Sequence, residues 1–301
     1  MDIDNSVDSI VCLSLFDGIS CGKVALERAG IKITQYYASE IDAQCIQVSK
    51  NNHPDIIHLG DINNWREWDL PKIDLIIGGS PCQGFSFAGK ELNFDDPRSK
   101  LFFVFADIIK HYQPKYWLLE NVVMRQSFQD VISSYMGVKP ILINSNVLSA
   151  QTRKRLYWTN IPFAEPTDAN RTLDDIWEGR IGKPARIVGR RLNERGKRDD
   201  YNRSIPIIQY LEVIDNKKSH CLTTVEKDSL VAFAEQGRHP NAYDDEMRKK
   251  WRTYTPVEYE RLQTLPDNYT EGISNSARFK AIGNGWTVDV IAHILGGINN
   301  C

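Results

Sequence analysis

Through the first half of the 301-residue chain, short runs rich in β-branched and aromatic residues alternate with segments of helical pattern. They are IVCLSLF, KVALERAG, QYYASEI, AQCIQVSKNN, IDLIIGG, LFFVFADIIKHY and YWLLEN. This rhythm constrains the fold strongly, because strands separated by helices pair in parallel and need helices on both faces of the sheet. An α/β protein with a parallel sheet is therefore expected. Ligands of such sheets gather beyond the carboxyl ends of the strands, so the residues that follow each apolar run carry the functional signal.

The texture changes after about residue 163. Pro162, Pro166 and Pro184, the basic stretch GRIGKPARIVGRRLNERGKR and short candidate strands such as IPIIQYLEVI and HCLTTV mark a smaller, loop-rich unit. Helical periodicity returns in TPVEYERLQTL and WTVDVIAHILGGI. The expected organisation is 1–164, a first domain; 165–252, a second domain; and 253–301, a tail that packs back onto the first.

With 42% hydrophobic residues and a formal net charge of −2, the chain can bury a large core and does not read as disordered. Its apolar runs are too short to span a bilayer, and the N-terminal MDIDNSVDS is acidic, so a soluble, cytoplasmic protein without a membrane partner is expected. The six cysteines form no C-x-x-C pair and have no nearby His at ligand spacing, which argues against a disulfide framework and against a metal site. Nucleic-acid affinity would have to come from a local basic surface.

Three strand ends point to a nucleoside ligand. SLFDGISCG opens a helix after the first strand and lets the backbone approach a ligand at Gly18 and Gly22. SEID places Glu40 about 20 residues on, where this fold commonly holds ribose hydroxyls. HLGDI supplies Asp61. A tight turn without a ligand is the alternative for the first of these. A dinucleotide is the competing cofactor, but Ser20 and Cys21 stand where a full G-x-G-x-x-G would place further glycine.

The chemical candidates lie on the same rim. Cys82, in GGSPCQGFSFAGK, follows a strand and precedes a loop of small residues. It is either a buried apolar thiol or a nucleophile, and the second reading needs help in forming the thiolate. Glu120 ends the next strand in LLENV, where it either caps a helix or faces the rim. In QTRKRLYW, Arg153 and Arg155 share a face if the segment is a strand, and they form either a structural ion pair or added positive charge at the rim.

Taken in order, SPC, ENV and Q-x-R-x-R, with SLFDGISCG, YYASEID, GDI, YTPVEYERLQTLP and RFKAIGNGW, resemble the DNA (cytosine-5)-methyltransferase family of bacterial or phage type. The first-turn form FDGI looks more like the vertebrate de novo enzymes. The resemblance implies a Rossmann-like S-adenosylmethionine-dependent methyltransferase sheet with a loop-rich target-recognition domain at 165–252. It also implies methyl transfer to C5 of a flipped-out cytosine in a specific short duplex DNA sequence.

In that reading Cys82 bonds to C6, Glu120 holds the N3 and amino edge of the base, Arg155 contacts O2, and Arg153 positions a loop or a phosphate. S-Adenosyl-L-methionine, leaving S-adenosyl-L-homocysteine, would sit among Phe16, Asp17, Gly18, Ile19, Glu40, Ile41, Asp61, Ile62, Pro81, Leu101, Asn284 and Trp286. Trp286 stands where the family often has Val or Ser. Gln83 and Ser86 would close over the extruded base. Arg190, Arg191, Lys197 and Arg198 would meet DNA phosphates, and Leu222, Thr223 and Thr224 would approach the base. No metal is implied, a monomer acting on double-stranded DNA is expected, and nothing in the sequence indicates a cognate restriction enzyme. A transfer-RNA methyltransferase, a silent DNA-binding relative and a nicotinamide-dependent dehydrogenase are the rival readings.

Overall fold

The computed structural model describes residues 9–81, 97–224, 228–235, 237–240 and 242–300. The first half forms β1 (Ile10–Leu15), α1 (Cys21–Arg28), β2 (Ile33–Ser39), α2 (Ala43–Asn52), β3 (Ile57–His58), β4 (Leu75–Gly79), α3 (Pro97–Tyr112), β5 (Tyr116–Val122), α4 (Gln126–Met136), β6 (Ile141–Asn144) and β7 (Lys154–Thr159). They build a seven-stranded sheet of order β3-β2-β1-β4-β5-β7-β6. The order reverses between β1 and β4, which places a crevice at the carboxyl ends of those two strands.

Why these strands are central is visible in their alternation. On β4, Leu75 and Ile77 enter one apolar cluster and Ile76 the other; on β5, Tyr116 and Leu118 face one side and Trp117 and Leu119 the opposite side. Side chains alternate with period 2, so a strand buried on both faces must be apolar throughout.

The expected parallel arrangement holds from β3 to β5 and stops there. Strand β7 inserts between β5 and β6 and runs antiparallel to both. Its first residues therefore reach the rim where the parallel strands end, with Val122 opposite Arg155 and Glu120 opposite Tyr157.

The remaining elements are β8 (Lys183–Arg190), β9 (Ile208–Val213), β10 (Leu230–Ala232), β11 (Gly237–Pro240), α5 (Asp245–Arg248), β12 (Trp251–Thr253), α6 (Pro256–Leu262), α7 (Asn275–Asn284) and α8 (Val288–Leu295). Strands β8 to β12 form an antiparallel sheet of order β11-β9-β8-β10-β12 around Ala185, Ile187, Leu211, Leu230 and Met247. Leu173 and Ile176 belong instead to the larger core, as do Leu222 and Val231. The small sheet thus begins later than the composition shift at residue 163.

Helix α6 starts on a signal written in TPVE: Thr255 Oγ1 accepts from Glu258 N (3.1 Å) and the Glu258 carboxylate accepts from Thr255 N (2.8 Å), with Pro256 in the first turn. The apolar face of α8 enters the same cluster as Val24, Ala25 and Leu26 of α1, which returns the tail to the first domain. Among the described residues no helix is long and apolar enough to cross a membrane.

Candidate active site

A cleft of about 380 Å³ opens at the ends of β1, β2, β4 and β5, and the end of α7 closes one side. Phe16, Asp17, Gly18, Glu40, Pro81, Glu120, Arg153, Arg155, Asn284 and Trp286 all line it. Sequence reasoning had gathered these residues from six separate stretches.

Its first wall is the turn after β1. Phe16, Gly18 and Ser20 all have φ near +60°, a left-handed conformation that costs a non-glycine residue on the order of 1 kcal/mol or more. Neighbours hold it in place: Asp17 N donates to Ser39 O (3.0 Å), and Gly18 N donates to Glu40 Oε2 (2.8 Å). Asp17 itself turns inward, accepting from Ser20 Oγ (2.5 Å) and Tyr36 Oη (2.8 Å). Burial pushes its carboxyl up to about 6, against the opposing hydrogen bonds from Ser14, Ser20 and Tyr36. Glu40 binds the backbone of its own turn with its other oxygen, accepting from Ile41 N (2.7 Å) and Asp42 N (2.8 Å).

The second wall carries the charge. Glu120 is largely buried, and Arg155 Nε lies 3.0 Å from its Oε1 while Trp286 Nε1 donates to its Oε2 at 3.0 Å. Burial acts to lower the Arg155 guanidinium, but Glu120, with Cys221 and Tyr157, outweighs it and raises Arg155 above its ordinary value. Asn121, next in the chain, is buried and donates to Ser80 O (3.3 Å) and Oγ (3.1 Å), tying the end of β5 to the segment that leads to Pro81. Cys82, Gln83 and Ser86 lie outside the described residues.

Arg153 differs from Arg155. Its guanidinium is buried and donates to three carbonyls: Leu222 O (3.1 Å), Gly283 O (3.2 Å) and Gly285 O (3.0 Å). Burial, reinforced by neighbouring Arg155, lowers it below the ordinary arginine value. Gln151, two residues earlier, is equally buried, accepting from Leu222 N (2.9 Å) and donating to Leu262 O (3.1 Å). The Q-x-R-x-R stretch therefore divides into two parts. Gln151 and Arg153 bind the segment at Leu222 and the tail to the sheet, and Arg155 faces the cleft.

The other expected cofactor positions have varied surroundings. Ile19 and Ile62 are core residues, because apolar side chains just past β1 and β3 find buried space in the two clusters flanking the sheet. Leu101 packs against the second of these clusters. Asp61 caps a short 3-10 helix, accepting from Asn63 N (2.9 Å). Ile41, 73% exposed, stands next to Glu40 in the chain.

The basic run is also redistributed. Arg186 and Arg190 hold the two oxygens of Glu212 at 3.0 and 2.8 Å. Arg191 donates to Ile205 O (3.0 Å), and Arg198 pairs with Asp200. These side chains stabilise the small sheet and its turn, whereas Arg195 and Lys197 are exposed at the tip beside Gly196. In the LTT element, Leu222 is buried core, Thr223 Oγ1 donates to Asp228 Oδ2 (3.1 Å), and Thr224 is exposed. Sequence reasoning missed Cys221, whose Sγ lies 3.5 Å from Arg153 Nη1 and 4.0 Å from Arg155 Nη2.

A crevice at a strand-order reversal, with the left-handed turn after β1 on one wall and a clamped carboxylate on the other, lies in a Rossmann-like methyltransferase fold. The chain belongs to the C-5 cytosine-specific DNA methylase family, whose model matches residues 10–300. It is 28% identical over 305 residues to the type II methyltransferase M1.ScrFI of Lactococcus lactis subsp. cremoris, covering 93% of this chain and 75% of that protein. It is 39% identical over 182 residues to the type II methyltransferase M.NlaIV of Neisseria lactamica, covering 53% of this chain and 43% of that one, so the chain spans under half the length of this second relative. In fold it is similar to the Entamoeba histolytica methyltransferase EhMeth, with a TM-score of 0.70 and 16% identity over 97% of this chain and 98% of that one.

Proposed function

We propose that this chain transfers a methyl group from S-adenosylmethionine to C5 of a cytosine flipped out of a specific short duplex DNA sequence, through a covalent bond between Cys82 and C6. The observation that carries this reading is the Glu120 carboxylate. It is held by Arg155 and Trp286 within the same cleft as the first-turn wall and Pro81, the residue before Cys82.

The cleft suits this cofactor better than a dinucleotide. Its first-turn lining, Phe16, Asp17, Gly18 and Cys21, contains no basic residue, and the cation on the α7 side, Lys280, pairs with Asp42 at 2.9 Å. A pyrophosphate would meet carboxylates there, whereas a sulfonium meets a favourable sign. When bound, S-adenosylmethionine supplies an electrophilic methyl group. Glu40 would take the ribose hydroxyls, Phe16 and Ile41 would cover the adenine, Asp61 would accept its amino group, and Asn284 would meet the methionine part.

Stacked neighbours in a duplex cover the ring face from which a thiolate must approach C6, so extrusion of the base must precede chemistry at a cost of about a few kcal/mol. Glu120 would then bind the N3 and amino edge and favour protonation of the ring. Arg155 would donate to O2 and offset the charge that develops as Cys82 adds. Bond formation from Cys82 to C6 makes C5 the nucleophile. After methylation, loss of the C5 proton returns its electron pair to the ring and expels the thiolate.

The test is to sequence DNA from cells expressing the protein with chemistry that distinguishes 5-methylcytosine. Modified cytosines should fall within one short motif. DNA without 5-methylcytosine above background would contradict the reading.

A further inference from the structure

Trp286 spans the two halves of the cleft. A Cβ added to Gly22 at the start of α1 would lie 3.5 Å from Trp286 Cζ3, and a Cβ on Gly79 would lie 3.0 Å from Trp286 Nε1 and 2.9 Å from Glu120 Oε2. The six-membered ring therefore rests at the first turn, and the N–H reaches the carboxylate across the end of β4. Both flanking residues are anchored. Gly285 O accepts from Arg153 Nη2 and Gln263 Nε2, each at 3.0 Å, and Thr287 Oγ1 donates to Gln263 Oε1 at 2.8 Å. An indole on so restrained a backbone has little freedom to leave its acceptor.

We propose that Trp286 is a positioning residue of the transfer reaction: its indole N–H and Arg155 Nε grip opposite oxygens of Glu120, fixing the carboxylate plane that receives the target base. The proposal rests on the cytosine-methylating reading above. A carboxylate has about four acceptor positions, so one donor on each oxygen orients the group and leaves the others for the substrate. The same ring forms part of the cleft wall near the first turn, so the group that orients the base is built against the cofactor half of the site.

The test is Trp286→Phe, which keeps an aromatic ring and removes the donor, measured by single-turnover transfer of labelled methyl to duplex DNA. The expected rate loss is about tenfold or more, as for a hydrogen bond to a charged group. S-Adenosylhomocysteine affinity should stay within about twofold. In a Glu120→Gln background the same substitution should cost less than about twofold, because partners in one network are non-additive. A wild-type rate in Trp286→Phe, or an equal loss in both backgrounds, overturns the proposal. An inactive wild-type protein would sink the functional reading and this proposal with it, whereas an active wild type with an indifferent variant sinks the proposal alone. A second measurement needs neither activity nor a folded Trp286 variant. Of the seven tryptophan indole N–H resonances, one should move upfield in Glu120→Ala, and a spectrum in which none moves overturns the contact.

Discussion

Arg153 and Arg155 are two residues apart and have different partners: Arg153 gives its guanidinium to three backbone carbonyls, and Arg155 sets Nε 3.0 Å from the Glu120 carboxylate. Removing the first leaves buried acceptors without a donor. Arg153→Met is expected to lower unfolding stability in urea by about 2–4 kcal/mol. Arg155→Met should instead lower the methyl-transfer rate at least about tenfold. The comparison that matters is relative: the stability loss should be larger for Arg153 and the rate loss larger for Arg155 once protein is counted as folded.

Gly79 has no space for a side chain between Glu120 and Trp286. A methyl group there would approach both polar atoms at 3.0 Å or less, so the carboxylate or the indole must move. Gly79→Ala should reduce the transfer rate about tenfold or more while S-adenosylhomocysteine binding, read by calorimetry, changes little. Unchanged turnover would show that the clamp tolerates displacement.

Asp17 gives the fold a pH dependence of defined sign. Its carboxyl rises from 3.8 to about 6 on folding, so the native state holds the proton more tightly. The associated stability is complete below about pH 3.8 and is lost as pH rises through about 6. Asp17→Asn lacks this titration. Relative to that variant, wild type should lose about 2–3 kcal/mol of unfolding free energy between pH 4 and pH 7. A difference constant across that range, measured by urea titration, would contradict the assignment.

Arg195 and Lys197 stand exposed at the tip of the turn that follows β8, with their backbone N–H groups tied to Asn193 Oδ1 at 3.0 Å. If both meet phosphates, replacing them with Ala should reduce the slope of log affinity against log salt by about 1.8. Arg190→Ala should act differently, because it strips one partner from Glu212 and shows as reduced stability. Fluorescence anisotropy over a salt series separates the two outcomes.

The sheet and the rim residues were legible because apolar runs that stop at glycine or a carboxylate record strand ends locally. Glu120 was found in this way. The location of Arg155 was legible only as a motif. Its cause, an antiparallel β7 inserted beside β5, depends on partners remote in sequence. Arg153 was expected to position a loop or a phosphate; which groups it holds was not legible, because its three acceptors are backbone carbonyls, which carry no sequence label. The pairing within the basic run was not legible for a related reason: the partner of Arg190, Glu212, lies 22 residues away on β9. Composition reports charge, and only strand register reports which charges are already paired. Trp286 was placed in the site from its motif, but its bond to Glu120, 166 residues away in the chain, required the return of the tail to the end of β4.

The central claim is a cysteine-dependent transfer to C5. Purified protein should be given labelled S-adenosylmethionine and duplex DNA, and the DNA digested to nucleosides. The label should appear in 5-methyldeoxycytidine, and Cys82→Ser, still folded by circular dichroism, should yield none. Label in another nucleoside, or equal labelling by Cys82→Ser, would contradict the account.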